Sequence, residues 1–308
     1  MAELRDEAVA WLMLDAEETP MSAAETYAAH VDAVLAQRTR LRGPQPSEDL
    51  FSGLPPDHML LKTDPRRPLE PNLEIVASYV EPDDVIVDVG GGAGRYSLPL
   101  ALRSREVVNV DPSAGMLAGF TANAARAGIT NVRTVHADWL DADPPRGTFA
   151  LVNHVTYLTR EIVPFIEKLE AAASRRVLLT VNSPPPPSMH RDVYPLIHGE
   201  IEEFIPGHIE LMNVLWEMGI EPDLRMLPHS SVPTPCFPTR EAAMQAAIGR
   251  IAGAQWAFWP LSQEQDVRLR QVLEERSSEL LPWTDRGYTF GWIDAGREAL
   301  ITWEPRPS

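Results

Sequence analysis

Residues 85–95, VIVDVGGGAGR, leave this chain few folds to choose from. Val85, Ile86, Val87 and Val89 enclose Asp88 in a run that suits a short buried strand. Gly90, Gly91, Gly92 and Gly94 follow at once, and residues 96–102 read as the start of a helix. A strand that enters a glycine-rich turn ahead of a helix N-terminus lets the backbone approach a ligand closely and offers it free N–H groups. A second strand, 106–110, ends in Asp111, about twenty residues beyond Gly90, where an acid can receive a ribose hydroxyl pair. Spacing then narrows the ligand. The dinucleotide fingerprint G-x-G-x-x-G would put its third glycine at position 95, which is Arg95, and no G-x-x-x-x-G-K-[ST] run is present.

Composition bounds the rest. The chain has 308 residues, 44% of them hydrophobic, so it can form one large domain with additions or two modest ones. No apolar run reaches bilayer length, and MAELRDEAVA lacks the basic start and apolar core of a leader, so a cytoplasmic protein is expected. A single cysteine, Cys236, rules out an intrachain disulfide framework and a multi-cysteine metal site. A net charge of −17 disfavours a polyanionic partner, because phosphate contacts need a lysine and arginine footprint. Nucleic acid therefore ranks well below a small molecule as substrate.

The D-x-G-x-G-x-G run from Asp88 to Gly94 resembles the first motif of class I S-adenosylmethionine-dependent methyltransferases, with two further acids at matching places. The resemblance spans roughly residues 69–183. It implies an α/β fold, a three-layer sandwich around a seven-stranded, mostly parallel sheet whose last strand is antiparallel. It also implies S-adenosylmethionine as cofactor, with S-adenosylhomocysteine as product. The motif glycines Gly90, Gly91, Gly92 and Gly94 would wrap the methionine part, with Asp88 fixing the loop and reaching toward the amino group. Asp111 would hold the ribose, and Pro112 beside it suits a helix's first turn. Asp138 in HADWLD would bond the adenine amino group, Met116 and Trp139 would sandwich the adenine, and Asn153 would contact the methionyl end. Trp139 serves equally well as a lid over the sheet edge.

Around that core, residues 1–67 read as an N-terminal helical extension and 68–237 as the Rossmann-like cofactor domain. Residues 238–287 read as a helical insertion serving as substrate lid, and 288–308 as strands completing the sheet. Helices are expected at 3–16, 23–40, 69–80, 113–127, 160–173, 204–218, 239–251 and 263–281. Ser22 and Glu25 have the spacing of a capping box for the second of these. Further strands are expected at 131–136, 148–153, 176–181, 222–227, 288–293 and 299–303, the last being the antiparallel seventh. The N-terminal helices would pack on the core, cover the substrate site or make the two-fold contact of a homodimer.

After the fourth strand stand Asn153, His154 and Tyr157, where methyl group and acceptor would meet. His154 is the candidate base, since imidazole titrates near neutral pH, and Tyr157 lines the same place. His136 reads as a packed histidine. The polar stretch 190–208, with His190, Arg191, His198 and His208 among several acids, matches no helical metal-ligand spacing, so no metal is expected. His229 and Cys236 flank a loop, and Trp256, Phe258, Trp259 and Trp283 suit an apolar lid. The N/D-P-P-Y/F signature of amino-group methylation in nucleic acids is absent; NHVTY stands in its place. Methyl transfer to a small molecule, at oxygen or nitrogen, is the expected function. A cofactor-binding scaffold without activity is the alternative, and a nicotinamide oxidoreductase is disfavoured by Arg95.

Overall fold

The computed structural model describes residues 20–44, 49, 63–143, 145–185, 192–228, 235–252, 261–292 and 296–306. The helix expected at 3–16, His190, Arg191, His229, Trp256, Phe258 and Trp259 lie outside those residues. Helix α1, Ala23–Arg42, starts at the capping box read from the sequence. Ser22 Oγ accepts from Glu25 N, and the Glu25 carboxylate accepts from Ser22 N. Then follow α2 (Pro71–Ala77), β1 (Val85–Val89), α3 (Ser97–Ala101), β2 (Glu106–Asp111), α4 (Ala114–Arg126), β3 (Val132–His136) and β4 (Gly147–Asn153). Helix α5 (Ile162–Ala172) runs straight into β5 (Ala173–Ser183), and α6 (Tyr194–His198), α7 (His208–Glu217) and β6 (Asp223–Met226) come next. The chain closes with α8 (Arg240–Ala252), α9 (Gln263–Glu275), α10 (Ser277–Leu280), β7 (Trp283–Thr284), β8 (Gly287–Tyr288) and β9 (Arg297–Trp303).

Seven strands form one sheet in the order β3-β2-β1-β4-β5-β9-β6. The pairs from β3 to β5 are parallel, and β9 runs antiparallel to both β5 and β6. The expected three-layer sandwich is thus the observed one. Side chains alternate across a strand, so each strand feeds both layers. Val85, Val87, Val89, Val108, Val110, Ala150 and Val152 enter the core under α1, α5 and α7. Ile86, Val107, Phe149, Leu151, Leu178 and Leu300 enter the core under α2, α3 and α4. Right-handed crossovers bring the carboxyl ends of β1, β2, β4 and β5 to one edge.

Three segments differ from the expectation. Of the strand expected at 288–293, residue 293 lies outside the described residues and only Tyr288 is paired, with Trp283 in a short hairpin, while Phe290 and Trp292 fold into a separate apolar cluster. The helix expected over 263–281 breaks at Arg276, whose φ of −110° and ψ of 25° end α9 before α10 begins. Helix α7 begins at His208, not 204, with Glu210 accepting from Gly207 N at 2.8 Å. The separate cluster draws on Val193 and Ile197 as well as α8, α9 and α10, so this helical module reaches beyond 238–287. Helix α1 packs on the α5 face through Tyr27, Val31 and Val34, and the Tyr27 hydroxyl donates to Thr156 O at 2.5 Å. Among the described residues no helix is long and apolar enough to cross a membrane.

Candidate functional site

The glycine turn sits at the carboxyl edge of β1, braced from β2 and α4. Gly90 N donates to Val110 O at 2.8 Å, and Gly94 N to Gly91 O at 3.0 Å. Asn109 Nδ2 donates to Gly92 O at 2.8 Å, and Asn123 Nδ2 of α4 to Ala93 O at 3.0 Å. Gly90, Gly92 and Gly94 all have positive φ, of 67°, 52° and 84°. Their surroundings differ in a way that orients the turn. A Cβ on Gly94 would lie 2.5 Å from Leu98 Cγ and 2.6 Å from Phe120, so this glycine permits the close helix–strand approach that Arg95 could not. On Gly92 it would meet only Met116 Sδ, at 3.7 Å, which leaves the open side of the turn for a ligand. Gly94→Ala is therefore expected to cost about 2 kcal/mol of stability, from the clash and the left-handed backbone together. A thermal melt equal to that of the parent protein would refute it.

Alternation decides where the acids go. Asp88 and Asn109 are register partners in β1 and β2, and with Asp111 they share the face toward α3 and α4. Asp88 is 1% exposed and lies beneath the turn, where its Oδ2 would be 2.1 Å from a Gly91 Cβ. Neither of its oxygens has a hydrogen-bond partner in good geometry, and Asn109 Oδ1 is likewise buried and unpartnered. Burial pushes the Asp88 carboxyl up to about 7, with the Ser97 hydroxyl pulling the other way and the Asp111 charge adding to the rise. Asp88 braces the turn from below and does not open on the cleft.

Asp111 is at the lip. Its Oδ2 accepts from Gly92 N at 2.9 Å and its Oδ1 from Ser113 N at 2.8 Å. Burial raises its carboxyl above the usual range; those two N–H groups oppose the rise, and Asp49 adds to it. Asp49 reaches in from the N-terminal region, where Ser113 Oγ donates to it at 2.9 Å. Two bonds leave the Asp111 carboxylate with further lone pairs. Two fixed oxygens at the lip of an open glycine turn fit a vicinal diol, and so the ribose of an adenosyl group. Pro112 is exposed, and its carbonyl lies 2.9 Å from Nε2 of His136, itself exposed on the edge strand β3. Met116 is half-buried at the first turn of α4, its N–H donating to Ser113 Oγ at 3.0 Å.

Asp138 is exposed, with Oδ1 accepting from Leu140 N at 2.8 Å, which leaves the rest of its carboxylate to a ligand. Trp139 departs from the adenine-stacking role expected of it. It is 4% exposed, its indole N–H donates to Phe165 O at 3.3 Å, and Lys168 lies over its ring, so it is packed against α5 and offers no platform to adenine. The residue after an outward-facing Asp138 turns inward, and α5 already supplies an acceptor for its N–H.

At the end of β4, Asn153 Oδ1 accepts from Thr180 Oγ1 at 2.9 Å, while Nδ2 is buried without a partner. His154 has φ 58°, the one positive φ outside glycine among the described residues. Such a conformation costs roughly 1–3 kcal/mol and clusters at functional sites. His154 N donates to Thr180 O at 2.9 Å, and Nδ1 lies 3.0 Å from the Tyr157 hydroxyl. Val155 then packs over Gly90, so the histidine adjoins the turn. Tyr157 is buried, and Asn182 N donates to its oxygen at 2.7 Å.

Asn109 and Asn123 were missed in the sequence, although a lone asparagine in EVVNVD, two residues before Asp111, has the period that puts it on the same face. Glu298 and Tyr96, which face His154, were missed too: Glu298 lies 3.6 Å from Nε2, and Tyr96 is edge-on to the ring. No group of three or more His, Cys, Asp or Glu able to hold a metal ion occurs among the described residues.

Residues 86–174 match a family described as "Methyltransferase domain". An uncharacterised protein of Haemophilus influenzae is 31% identical over 208 residues, covering 67% of this chain and 74% of that protein. RlmD of Aeromonas hydrophila, a 23S rRNA uracil C5-methyltransferase, is 35% identical over 101 residues; these span 27% of this chain and only 23% of RlmD. The crystal structure of YcgJ from Bacillus subtilis shares the fold, with a TM-score of 0.50 at 12% identity, over 77% of this chain and 98% of that one.

Proposed function

This chain belongs to the class I S-adenosylmethionine-dependent methyltransferases, and on that premise we propose that it transfers a methyl group to a small-molecule acceptor at oxygen or nitrogen. The observation that carries the cofactor half is Asp111, fixed at the lip of the turn by Gly92 N and Ser113 N. When bound, the cofactor supplies a sulfonium-activated methyl group for in-line displacement. The chain's own part is alignment and exclusion of water. Asp111 would hold the ribose, the open side of Gly92 and the side chain of Met116 would flank the adenosyl group, and Asp138 would meet the adenine. Asn153 would turn its unpartnered amide toward the methionyl end, and His154 with Tyr157 would face the acceptor.

The small-molecule assignment draws on the net charge of −17 and on NHVTY after β4. RNA is the second candidate, because of the local likeness to RlmD. Calorimetric titration with S-adenosylmethionine and S-adenosylhomocysteine tests the cofactor half, and gel-shift with an rRNA fragment separates the two acceptor classes. Cofactor binding with no transfer to any acceptor would leave the inactive scaffold. His154→Ala is expected to lower turnover at least tenfold with cofactor affinity unchanged. Unchanged turnover near neutral pH would remove His154 from the mechanism.

A further inference from the structure

One carboxylate, Glu298, faces His154 and Tyr96. Glu298 lies at the start of β9 as the register partner of Asn182 in β5, on the side facing α2 and α3. Its Oε1 is 3.6 Å from His154 Nε2, and the Tyr96 hydroxyl is 3.4 Å from both of its oxygens. Burial alone would raise this carboxyl; His154, Asn72 and Tyr96 outweigh the burial and hold it below its usual value. It is an anion at neutral pH, set against an imidazole.

That anion assigns the proton on the ring. Nε2 faces the carboxylate and carries the hydrogen, which leaves the Nδ1 lone pair toward the Tyr157 hydroxyl at 3.0 Å. The Tyr157 oxygen already accepts from Asn182 N at 2.7 Å, so its own proton points to Nδ1 and one lone pair remains. The groups line up in one direction, Tyr157 O–H toward His154 Nδ1 at 3.0 Å and His154 Nε2 facing the Glu298 carboxylate across 3.6 Å.

Resting on the methyl-transfer reading, we propose that Glu298 is the positioning residue that makes Tyr157 and His154 a proton acceptor, and that the compound methylated reacts through a hydroxyl oxygen. In the step, the acceptor oxygen bonds the methyl carbon as the carbon–sulfur bond breaks and its electron pair returns to sulfur. The acceptor's proton moves to the Tyr157 oxygen while the Tyr157 proton moves to His154 Nδ1. An imidazolium is left facing the Glu298 carboxylate. An amine can attack with its lone pair and lose a proton to water afterwards, whereas a hydroxyl must give up its proton as the bond forms. A built-in acceptor chain serves the hydroxyl.

The test compares the parent protein, Glu298→Gln and Glu298→Asp, with S-adenosylmethionine and two saturating probes, phenol and the more acidic 4-nitrophenol. The parent protein should methylate phenol. Glu298→Gln should lower kcat toward phenol about tenfold, with KM and S-adenosylhomocysteine affinity unchanged, and less than twofold toward 4-nitrophenol at a pH where that probe is already ionised. Glu298→Asp, which keeps the charge, should recover most of the phenol rate and stands in if the Gln variant fails to bind cofactor. An equal loss on both probes would make Glu298 structural and overturn the proposal. So would a parent protein that binds S-adenosylhomocysteine and methylates neither probe. Failure of the parent protein to bind S-adenosylhomocysteine would instead sink the methyltransferase reading itself.

Discussion

Asp111→Ala is expected to weaken S-adenosylhomocysteine binding about a thousandfold in a calorimetric titration, roughly 4 kcal/mol, while the protein stays folded. Its two oxygens are each pinned by one backbone N–H, from Gly92 and from Ser113, so the carboxylate is held ready before any ligand arrives. Each hydrogen bond from a ribose hydroxyl to that anion contributes about 1.5–3 kcal/mol. Alanine removes both at once and also frees Gly92 N, which loosens the turn and acts in the same direction. Stability should suffer little, because burial raises the Asp111 carboxyl and its ionisation already costs the fold something. A variant that binds within threefold of the parent protein would show that the ribose is held elsewhere.

The turn and Asp111 were legible in the sequence because both are local features. A strand, four glycines and an acid at the next strand's end sit within about thirty residues, and each has a physical reason to be what it is. The capping box at Ser22 and Glu25 was legible on the same ground. The antiparallel seventh strand came from the resemblance, and β9 bears it out. What escaped depends on which neighbour a side chain meets. Asp88 looks the same in sequence whether it faces the cleft or lies beneath the turn; only its pairing with Asn109 and the alternation of β1 seal it in. Trp139 is aromatic in a plausible place, yet it packs into the core against α5, its indole N–H reaching Phe165 O. Glu298, second in REALITW, carries no local signal, since its partner His154 is more than a hundred residues away. Tyr288 to Trp292 have the composition of a strand, but Phe290 and Trp292 find a better apolar site against α8 and α9 than another strand could offer.

Asp88→Asn should raise stability at pH 8 by about 3 kcal/mol and leave it near that of the parent protein around pH 4. Burial lifts the Asp88 carboxyl to about 7 in the folded chain, against an ordinary value near 4 in the unfolded one. The folded state therefore holds this proton more tightly. The stability that goes with the protonated form is fully present below about pH 4 and is lost as pH rises through about 7. Roughly three units at 1.4 kcal/mol each set an upper bound near 4 kcal/mol, which local relaxation trims. Asparagine cannot ionise, and its amide can donate where two acceptors now face each other unpartnered: Asn109 Oδ1 and the carboxylate it replaces both lie within 3 Å of where a Gly91 Cβ would be. The measurement is a melting temperature for both proteins from pH 4 to pH 8. The two curves should part between those limits and run parallel above pH 7. Curves parallel throughout, or a variant that melts lower at pH 8, would mean that Asp88 is stabilised by groups that offset its burial.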